Sequence, residues 1–388
     1  MKSLADYDIS ETRGFLSRFN ADEVILSGPW AEARQVAMRL PQTLPTGRVR
    51  ELLNAQLPEF DADAEIKKCS EEQIRLAMVH YSFMVQAYIW GEREAAKVLP
   101  AKLAQPMVAL ADHLGQQPLL PYSGYVLDNW GLVDKDGPVD LDNIYMIQNF
   151  LSGQDEIWFV LIHVAIEAAA GGALARAEPL IQATHAQDTD KATKLLAEIG
   201  KVWDQINAIF NRMPERCDPY VYFERVRPYI HGWKDNPALP DGVIYEGVPR
   251  FEAEGHAFRG QTGSQSSIVP AMDALMGVGH AHDPLRGYLD ELHIYRPVGH
   301  RKFIEDLREE STVREFVSGS NSQPLRDAYN HVIEAMAAFR SRHLEYAASY
   351  INKQGKNATG NDTEVGTGGT PFMKYLKKHR DETRARLL

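Results

Sequence analysis

A stripe of apolar side chains across residues 326–351 constrains this chain most, because it predicts one long amphipathic helix with a titratable group on its buried face. The apolar positions recur three and four residues apart, as they do along one face of a helix. The stripe comprises Tyr329, Val332, Met336, Phe339, His343, Tyr346 and Tyr350. Arg340 precedes His343 by about one turn, so its guanidinium could reach an anion beside that imidazole. The pair could hold an iron-containing, carboxylated ligand, although a histidine on an apolar face is more often a hydrogen-bonded core residue.

Composition restricts the class of protein. A chain of 388 residues with 44% hydrophobic content can bury a cofactor in one large core or in two domains. The net charge of -11 and the lack of long basic runs argue against nucleic acid as a partner. The two cysteines provide no disulfide framework and no Cys-x-x-Cys-His motif for covalent haem, and they suit a reducing, cytoplasmic setting. The oligomeric state is not indicated.

Residues 157–175 form the only stretch that could be mistaken for a membrane span. His163 and Glu167 lie near its centre, so we predict a buried helix with a function and no membrane contact. Phe159, His163 and Glu167 are four residues apart and share one helix face. The imidazole could contact a ligand, or the two polar side chains could satisfy each other in the core.

The organisation of the rest of the chain predicts a mostly α-helical fold, because helical spacing recurs and strand-type alternation is scarce. Residues 131–148 resemble a polar linker. We therefore predict a smaller N-terminal helical domain over residues 1–145 and a larger C-terminal helical domain over residues 146–388. Residues 152–155, Ser-Gly-Gln-Asp, predict a capping box before the apolar helix. The Gly-rich residues 355–370 suit a mobile loop that closes over a ligand, or a disordered linker.

Two further segments could bind an anion. In residues 220–234, Phe223 and Arg227 are four apart and Pro228 ends the helical turn. Arg227 could clamp a carboxylate there, although a surface ion pair is the commoner fate of an arginine. Residues 258–279 are a Gly-Ser loop running into a helix, where free backbone N–H groups could meet an anion. The segment matches neither common phosphate-binding pattern.

Several motifs, taken in chain order, resemble those of the indoleamine 2,3-dioxygenase family. They are YSGYVLDNW, IHVAIEAAA, YFERVRPYIHGWK, YEGV, FRGQTGSQSS, PVGHRKF, FRSRHLEYAASYI and GTGGTPFMKYLKKHR. The resemblance covers most of the chain from about residue 75 and suggests a bacterial-type member. It implies an all-α, two-domain fold with haem b in the larger domain. It also implies a cytoplasmic enzyme of tryptophan catabolism by the kynurenine pathway, which inserts both atoms of O2 across the indole C2=C3 bond of L-tryptophan, or a related indole, to give N-formylkynurenine.

The resemblance also implies roles for individual residues. His343 would be the proximal ligand of the haem iron, and Arg340 would contact a haem propionate. Arg227 would bind the substrate carboxylate and, together with His163, would act in catalysis. Other positions would line the substrate pocket, cover the haem edge or contact the substrate ammonium. These positions are Tyr122, Phe159, Tyr222, Phe223, Thr262, Gly263, Ser264 and Thr367.

Two departures from the family pattern concern the pocket. The family usually has Phe-Phe where this chain has Tyr222 and Phe223. Vertebrate members carry a serine at the position of His163, which instead resembles the distal histidine of tryptophan 2,3-dioxygenases and could accept a hydrogen bond from the indole N–H. Three rival functions stay open. They are a different haem-dependent oxygenation of a tryptophan-derived indole in secondary metabolism, a non-catalytic haem-binding or gas-sensing protein, and a thiolate-ligated haem protein using Cys217, which lacks the Gly-rich surroundings expected of such a ligand.

Overall fold

Helices form most of the protein in a computed structural model that describes residues 1–252, 254–280, 284–357, 367 and 372–388. The α-helices of the first half are α1 (Gly28–Ala37), α2 (Leu40–Thr43), α3 (Val49–Gln56), α4 (Ala62–Ile66), α5 (Glu71–Trp90), α6 (Ala101–Leu114), α7 (Gln154–His185) and α8 (Thr189–Phe210). Those of the second half are α9 (Pro219–Val221), α10 (Pro249–Glu252), α11 (Ile268–Met276), α12 (Pro284–His293), α13 (Val298–Glu310), α14 (Val313–Gly319), α15 (Gln323–Tyr350) and α16 (Phe372–Arg384). The prediction of an all-α fold is confirmed.

The strands of the described ranges are short and form two separate pairs. β1 (Val98–Leu99) runs parallel to β4 (Ile244–Tyr245). β2 (Trp130–Leu132) runs antiparallel to β3 (Ile144–Met146). The second pair joins the two ends of the predicted linker, so this segment is a hairpin. The linker interpretation was wrong because the apolar residues at both ends of that polar segment pair with each other.

A capping box explains where α5 begins, whereas α7 begins without one. At the start of α5, the Ser70 hydroxyl accepts from the Gln73 backbone N–H, and the Gln73 side chain accepts from the Ser70 N–H. The capping box predicted before the apolar helix is wrong. α7 begins after Gly153 without a side-chain cap, and the Ser152 hydroxyl instead donates to the Asn149 side chain.

α7, α8 and α15 pack side by side, and α16 packs on α15. α7 is long and apolar enough to cross a membrane by length and composition, but 72% of its most apolar window is buried inside the protein. We therefore interpret it as a core helix. Buried residues lie on all sides of α7, because other helices surround it.

Candidate active site

A cavity of about 610 Å³ opens among α7, α8, α11, α15 and α16. This volume is typical of pockets that enclose a cofactor or small ligand. Most residues that the sequence assigned to the site line the cavity: Tyr122, Phe159, His163, Tyr222, Thr262, Gly263, Ser264, Arg340, His343 and Thr367. Phe223 and Arg227 do not belong to the cavity wall as formed by the described residues. The tertiary structure thus brings together residues from six separate stretches of sequence.

His343 lies on the cavity wall as a neutral imidazole. Burial, followed by the effects of His163 and Arg340, lowers the pKa of the His343 ring to about 4. Its nitrogens have no hydrogen-bond partner among the residues that the structure describes. Phe210 packs nearby, with its ring centroid 6.3 Å from that of His343. The side chain is therefore not the hydrogen-bonded core histidine of the alternative interpretation, and it offers a lone pair to a ligand.

His163 faces the same cavity from α7. Its Nδ1 lies 2.7 Å from the Phe159 carbonyl oxygen, one turn earlier on the helix. Because a carbonyl can only accept, Nδ1 carries the proton and Nε2 carries a lone pair. Burial lowers the pKa of His163 despite the hydrogen bond to Phe159, so the ring is neutral near pH 7. The side chain can therefore accept a hydrogen bond from a donor in the cavity.

Glu167 connects three parts of the cavity wall. Its Oε1 accepts hydrogen bonds from the Tyr122 hydroxyl at 2.8 Å and the Ser266 hydroxyl at 2.7 Å. Its Oε2 is buried without a partner among the described residues. The alternative in which His163 and Glu167 satisfy each other is wrong, because each bonds to other groups. Burial raises the pKa of Glu167 to about 7, against the lowering effect of the Ser266 and Tyr122 hydrogen bonds.

This raised pKa predicts how protein stability depends on pH. An acid whose pKa is higher in the folded state loses its stabilising contribution as pH rises from about 4.5 to about 7. A pKa that is higher by this amount in the folded state changes the free energy of unfolding by about 3 kcal/mol across this pH range. Relative to the parent protein, Glu167→Gln should therefore become progressively more stable between about pH 5 and pH 8. The free energy of unfolding from urea titrations at both pH values measures the change.

The exposed Glu32 provides a control for this measurement. Glu32→Gln should leave the pH dependence of the unfolding free energy as it is in the parent protein. Parallel profiles for Glu167→Gln and the parent protein would mean that Glu167 titrates near its ordinary range.

Arg340 forms a buried ion pair that the sequence did not reveal. Its Nη2 lies 2.6 Å from Asp273 Oδ2, and its Nη1 also donates to the Thr383 hydroxyl. Although burial opposes ionisation, Arg340 and His280 hold the pKa of Asp273 at about 2. The pair places a cation and an anion in the cavity wall. A single acid inside the apolar segment of α11 was the available sequence signal for Asp273.

Tyr222, Phe223 and Arg227 lie in irregular helix. Residues Tyr222–Val226 form a π-helical turn, and Arg227–Ile230 continue as a 3-10 helix, so Pro228 does not end the helical segment. Of the three predicted site residues in this segment, Tyr222 lines the described cavity and Phe223 and Arg227 do not. Arg227 is fully buried, and its guanidinium carbon lies 5.4 Å from the Phe223 ring centroid. Such turns occur often at functional sites.

The loop with Thr262, Gly263 and Ser264 forms another wall. The Thr262 hydroxyl accepts from the Ser264 backbone N–H. A Cβ atom on Gly263 would meet none of the described residues within 4 Å. Thr367 reaches the loop by donating its hydroxyl to the Gln261 carbonyl at 2.7 Å. Most of the predicted mobile loop at 355–370 lies outside the described residues.

A close approach of three backbone segments explains the glycines at 232 and 260. A Cβ atom on Gly232 would lie 2.0 Å from the Gly260 nitrogen, and one on Gly260 would lie 2.5 Å from the Thr367 carbonyl oxygen. The Gly232 N–H donates to that same carbonyl. Side chains at either glycine would therefore push the three segments apart.

Cys217 is a poor candidate for an iron ligand. Its side chain is buried and does not belong to the described wall of the cavity. Burial raises the pKa of the thiol well above its usual range, and the nearby Asp155 and Asp218 add to that effect. The thiol would stay protonated at neutral pH, whereas a metal ligand needs the thiolate.

The residues of the cavity fit a haem group. His343 supplies an unpartnered neutral imidazole, and aromatic rings such as those of Phe210 and Phe339 supply apolar walls. Arg340 lines the cavity beside Asp273, so a propionate would share its guanidinium with that carboxylate. No described residue lies within 4 Å of a Cβ atom placed on Gly263, which leaves room for a group there. A histidine ligand and an apolar surround are what haem-binding sites use.

Comparison with known proteins identifies one family. The family model described as Indoleamine 2,3-dioxygenase matches residues 3–386. Indoleamine 2,3-dioxygenase 1 of Rattus norvegicus is 32% identical over 99% of this chain and 96% of the relative. Indoleamine 2,3-dioxygenase of Saccharomyces cerevisiae is 30% identical over 98% of this chain and 92% of the relative. Indoleamine 2,3-dioxygenase acdA of Aspergillus candidus is 32% identical over 78% of each. These relatives are mammalian and fungal, so the expectation of a bacterial-type member is not borne out.

Proposed function

This chain belongs to the indoleamine 2,3-dioxygenase family, whose members are haem-dependent dioxygenases, and we propose that L-tryptophan is its substrate and N-formylkynurenine its product. The observation that carries the proposal is the pairing of two neutral histidines on the wall of one cavity. His343 offers a lone pair with no competing partner, and His163 presents a bare Nε2 to the same space. We extend the proposal to a role in tryptophan catabolism in the cytoplasm, which the two free thiols support.

The residues of this chain would divide the work between binding and orientation. Bound haem supplies the redox-active iron at which O2 is activated. His343, neutral at physiological pH, would ligate that iron, and Arg340 would pair with a propionate. His163 would accept the indole N–H and so hold the C2=C3 bond in place, and Arg227 would bind the substrate carboxylate. Aromatic side chains such as Phe159 and Tyr222 would exclude water from the reacting ring.

Product identification tests this proposal. The reduced, haem-loaded protein is mixed with L-tryptophan under labelled O2, and the products are identified by mass spectrometry. We expect N-formylkynurenine containing two labelled oxygen atoms. A product with one labelled oxygen would favour a different oxygenation of the indole, and binding without turnover would favour a gas sensor.

The role of His163 predicts a change in substrate preference. His163→Ser removes the acceptor of the indole N–H, so the kcat/KM for tryptophan should fall by an amount equivalent to about 1–2 kcal/mol, the value of one buried neutral hydrogen bond. The loss should be smaller for 1-methyltryptophan, because that substrate has no N–H to donate and the smaller serine relieves a collision with its methyl group. Steady-state kinetics with both substrates measure the ratio.

The matched control for this variant lies on the same helix. His185 is exposed near the C-terminal end of α7, and His185→Ser should leave both kcat/KM values unchanged. Equal losses for the two substrates in His163→Ser would show that His163 acts on bound oxygen or on cavity structure instead of on the indole N–H.

A further inference from the structure

A second group of metal-ligating side chains joins the end of α11 to α16, and its two histidines line the same cavity as His343. It consists of His280, which follows α11, and of His379 and Glu382 on α16. One ligand atom from each residue lies within 4.8 Å of the others. His379 and Glu382 are three positions apart, so they share one face of the helix. The ring centroids of His280 and His379 are 4.4 Å apart.

Carboxylates contact both ring nitrogens of His280, an arrangement that also fixes histidines in metal sites. Its Nε2 donates to Asp273 Oδ2 at 3.1 Å, and its Nδ1 lies 2.5 Å from Glu382 Oε2. A carboxylate that accepts from the second nitrogen of a histidine is the usual outer partner in metal sites, because it fixes the ring and increases its basicity. Asp273 holds that position here and is itself fixed by Arg340.

His379 has a buried ring nitrogen that the hydrogen bonds of this group do not satisfy. Its Nε2 is buried and has no hydrogen-bond partner among the described residues. Burial, with the charges of His280 and Arg340, lowers the pKa of His379 to about 3, so the ring is neutral and keeps its lone pair. A buried polar atom without a partner costs free energy, which a bound ion would recover.

We propose that His280 Nδ1, His379 Nε2 and Glu382 Oε2 form a binding site for Zn²⁺. Two imidazoles and one carboxylate are a common three-ligand set for this ion, with the fourth position open to water. The ion would replace the proton now shared between His280 and Glu382. Tetrahedral bonds of about 2.0–2.1 Å place ligand atoms about 3.3 Å apart. Those two atoms must therefore separate slightly from 2.5 Å as the ion enters. Such an ion would fasten α16 to the end of α11 at the wall of the cavity.

Isothermal titration of the haem-loaded protein with ZnCl2 tests the site. The protein is first treated with a chelator, and haem occupies His343 so that this histidine cannot bind the added ion. We expect one Zn²⁺ per chain. His379→Ala should weaken Zn²⁺ binding by at least about 100-fold, because loss of an outer partner alone typically costs 10–100-fold. Zn²⁺ should also raise the Tm of the parent protein and not that of the variant.

A control and a second variant make the result decisive. His331 is exposed and pairs with Asp204 at 3.0 Å, so it is also a histidine beside a carboxylate. His331→Ala should bind Zn²⁺ like the parent protein. Glu382→Gln keeps the size of the side chain and removes the charged ligand, so it too should weaken binding, and it decides the matter if His379→Ala does not fold. Absence of stoichiometric binding in the parent protein, or equal binding by both variants and the parent protein, would overturn the proposal.

Discussion

Replacing His343 with alanine is expected to abolish the spectrum of histidine-ligated haem and with it all dioxygenase activity. The reason is geometric, because the iron would lose its only proximal ligand on that face of α15. His331 cannot substitute, since it lies on the same helix about 18 Å away by the helical rise. Haem content and the absorption spectrum of the purified ferrous protein measure the effect.

His331→Ala is the control for this variant, because it removes the same side chain from the same helix at an exposed position. It should bind haem with an unchanged spectrum. Addition of imidazole should restore a nitrogen-ligated spectrum to His343→Ala, provided that the cavity survives the substitution. A normal histidine-ligated spectrum in His343→Ala without added imidazole would contradict the assignment of the proximal ligand.

Arg227→Ala should weaken the binding of tryptophan by about 2–4 kcal/mol, the size of a charge-assisted contact in a site without water. The haem content should not change. Arg227 is buried against Phe223 and outside the described cavity wall, so the contact requires its guanidinium to turn towards the substrate. The spectral change of the haem-loaded protein on titration with tryptophan measures the affinity.

Tryptamine separates loss of the carboxylate contact from a general disturbance of the cavity. It has the same indole and ammonium groups as tryptophan and no carboxylate. Its affinity should therefore be the same in Arg227→Ala and the parent protein. Arg225 is exposed on the same turn, and Arg225→Ala should bind both ligands normally. Equal losses for tryptophan and tryptamine in Arg227→Ala would assign Arg227 a structural role.

Local patterns in the sequence were sufficient to predict the long helices and the direction of their buried faces. The stripe around His343 became the buried face of α15, and the apolar segment at 157–175 became part of α7. These features depend on residues at most a few turns apart, so periodicity reports them directly. The resemblance of separate motifs then assigned the residues to one site, and most of them line one cavity.

Errors arose where a short polar pattern had more than one structural meaning. Residues 131–148 combine polar residues and turn signals, which a linker and a hairpin loop share, and β2 and β3 show that the flanking residues pair. Ser152 had the spacing of a capping residue. Its backbone adopts a positive φ of 54°, which is incompatible with that role, and α7 starts one residue later than a Ser152 cap requires.

The sequence by itself determined that the chain is helical, that His343 and His163 lie on buried helix faces, and which family it belongs to. Only the tertiary structure decided which distant groups share hydrogen bonds and charge. Glu167 bonds to Tyr122 and Ser266, and Arg340 pairs with Asp273, across separations of 45 to 99 residues. The spacing of apolar residues shows which face of a helix is buried. It does not show which other element packs against that face. Partners follow from how whole helices pack, because each ion pair or hydrogen bond forms only where packing brings its two groups together out of water.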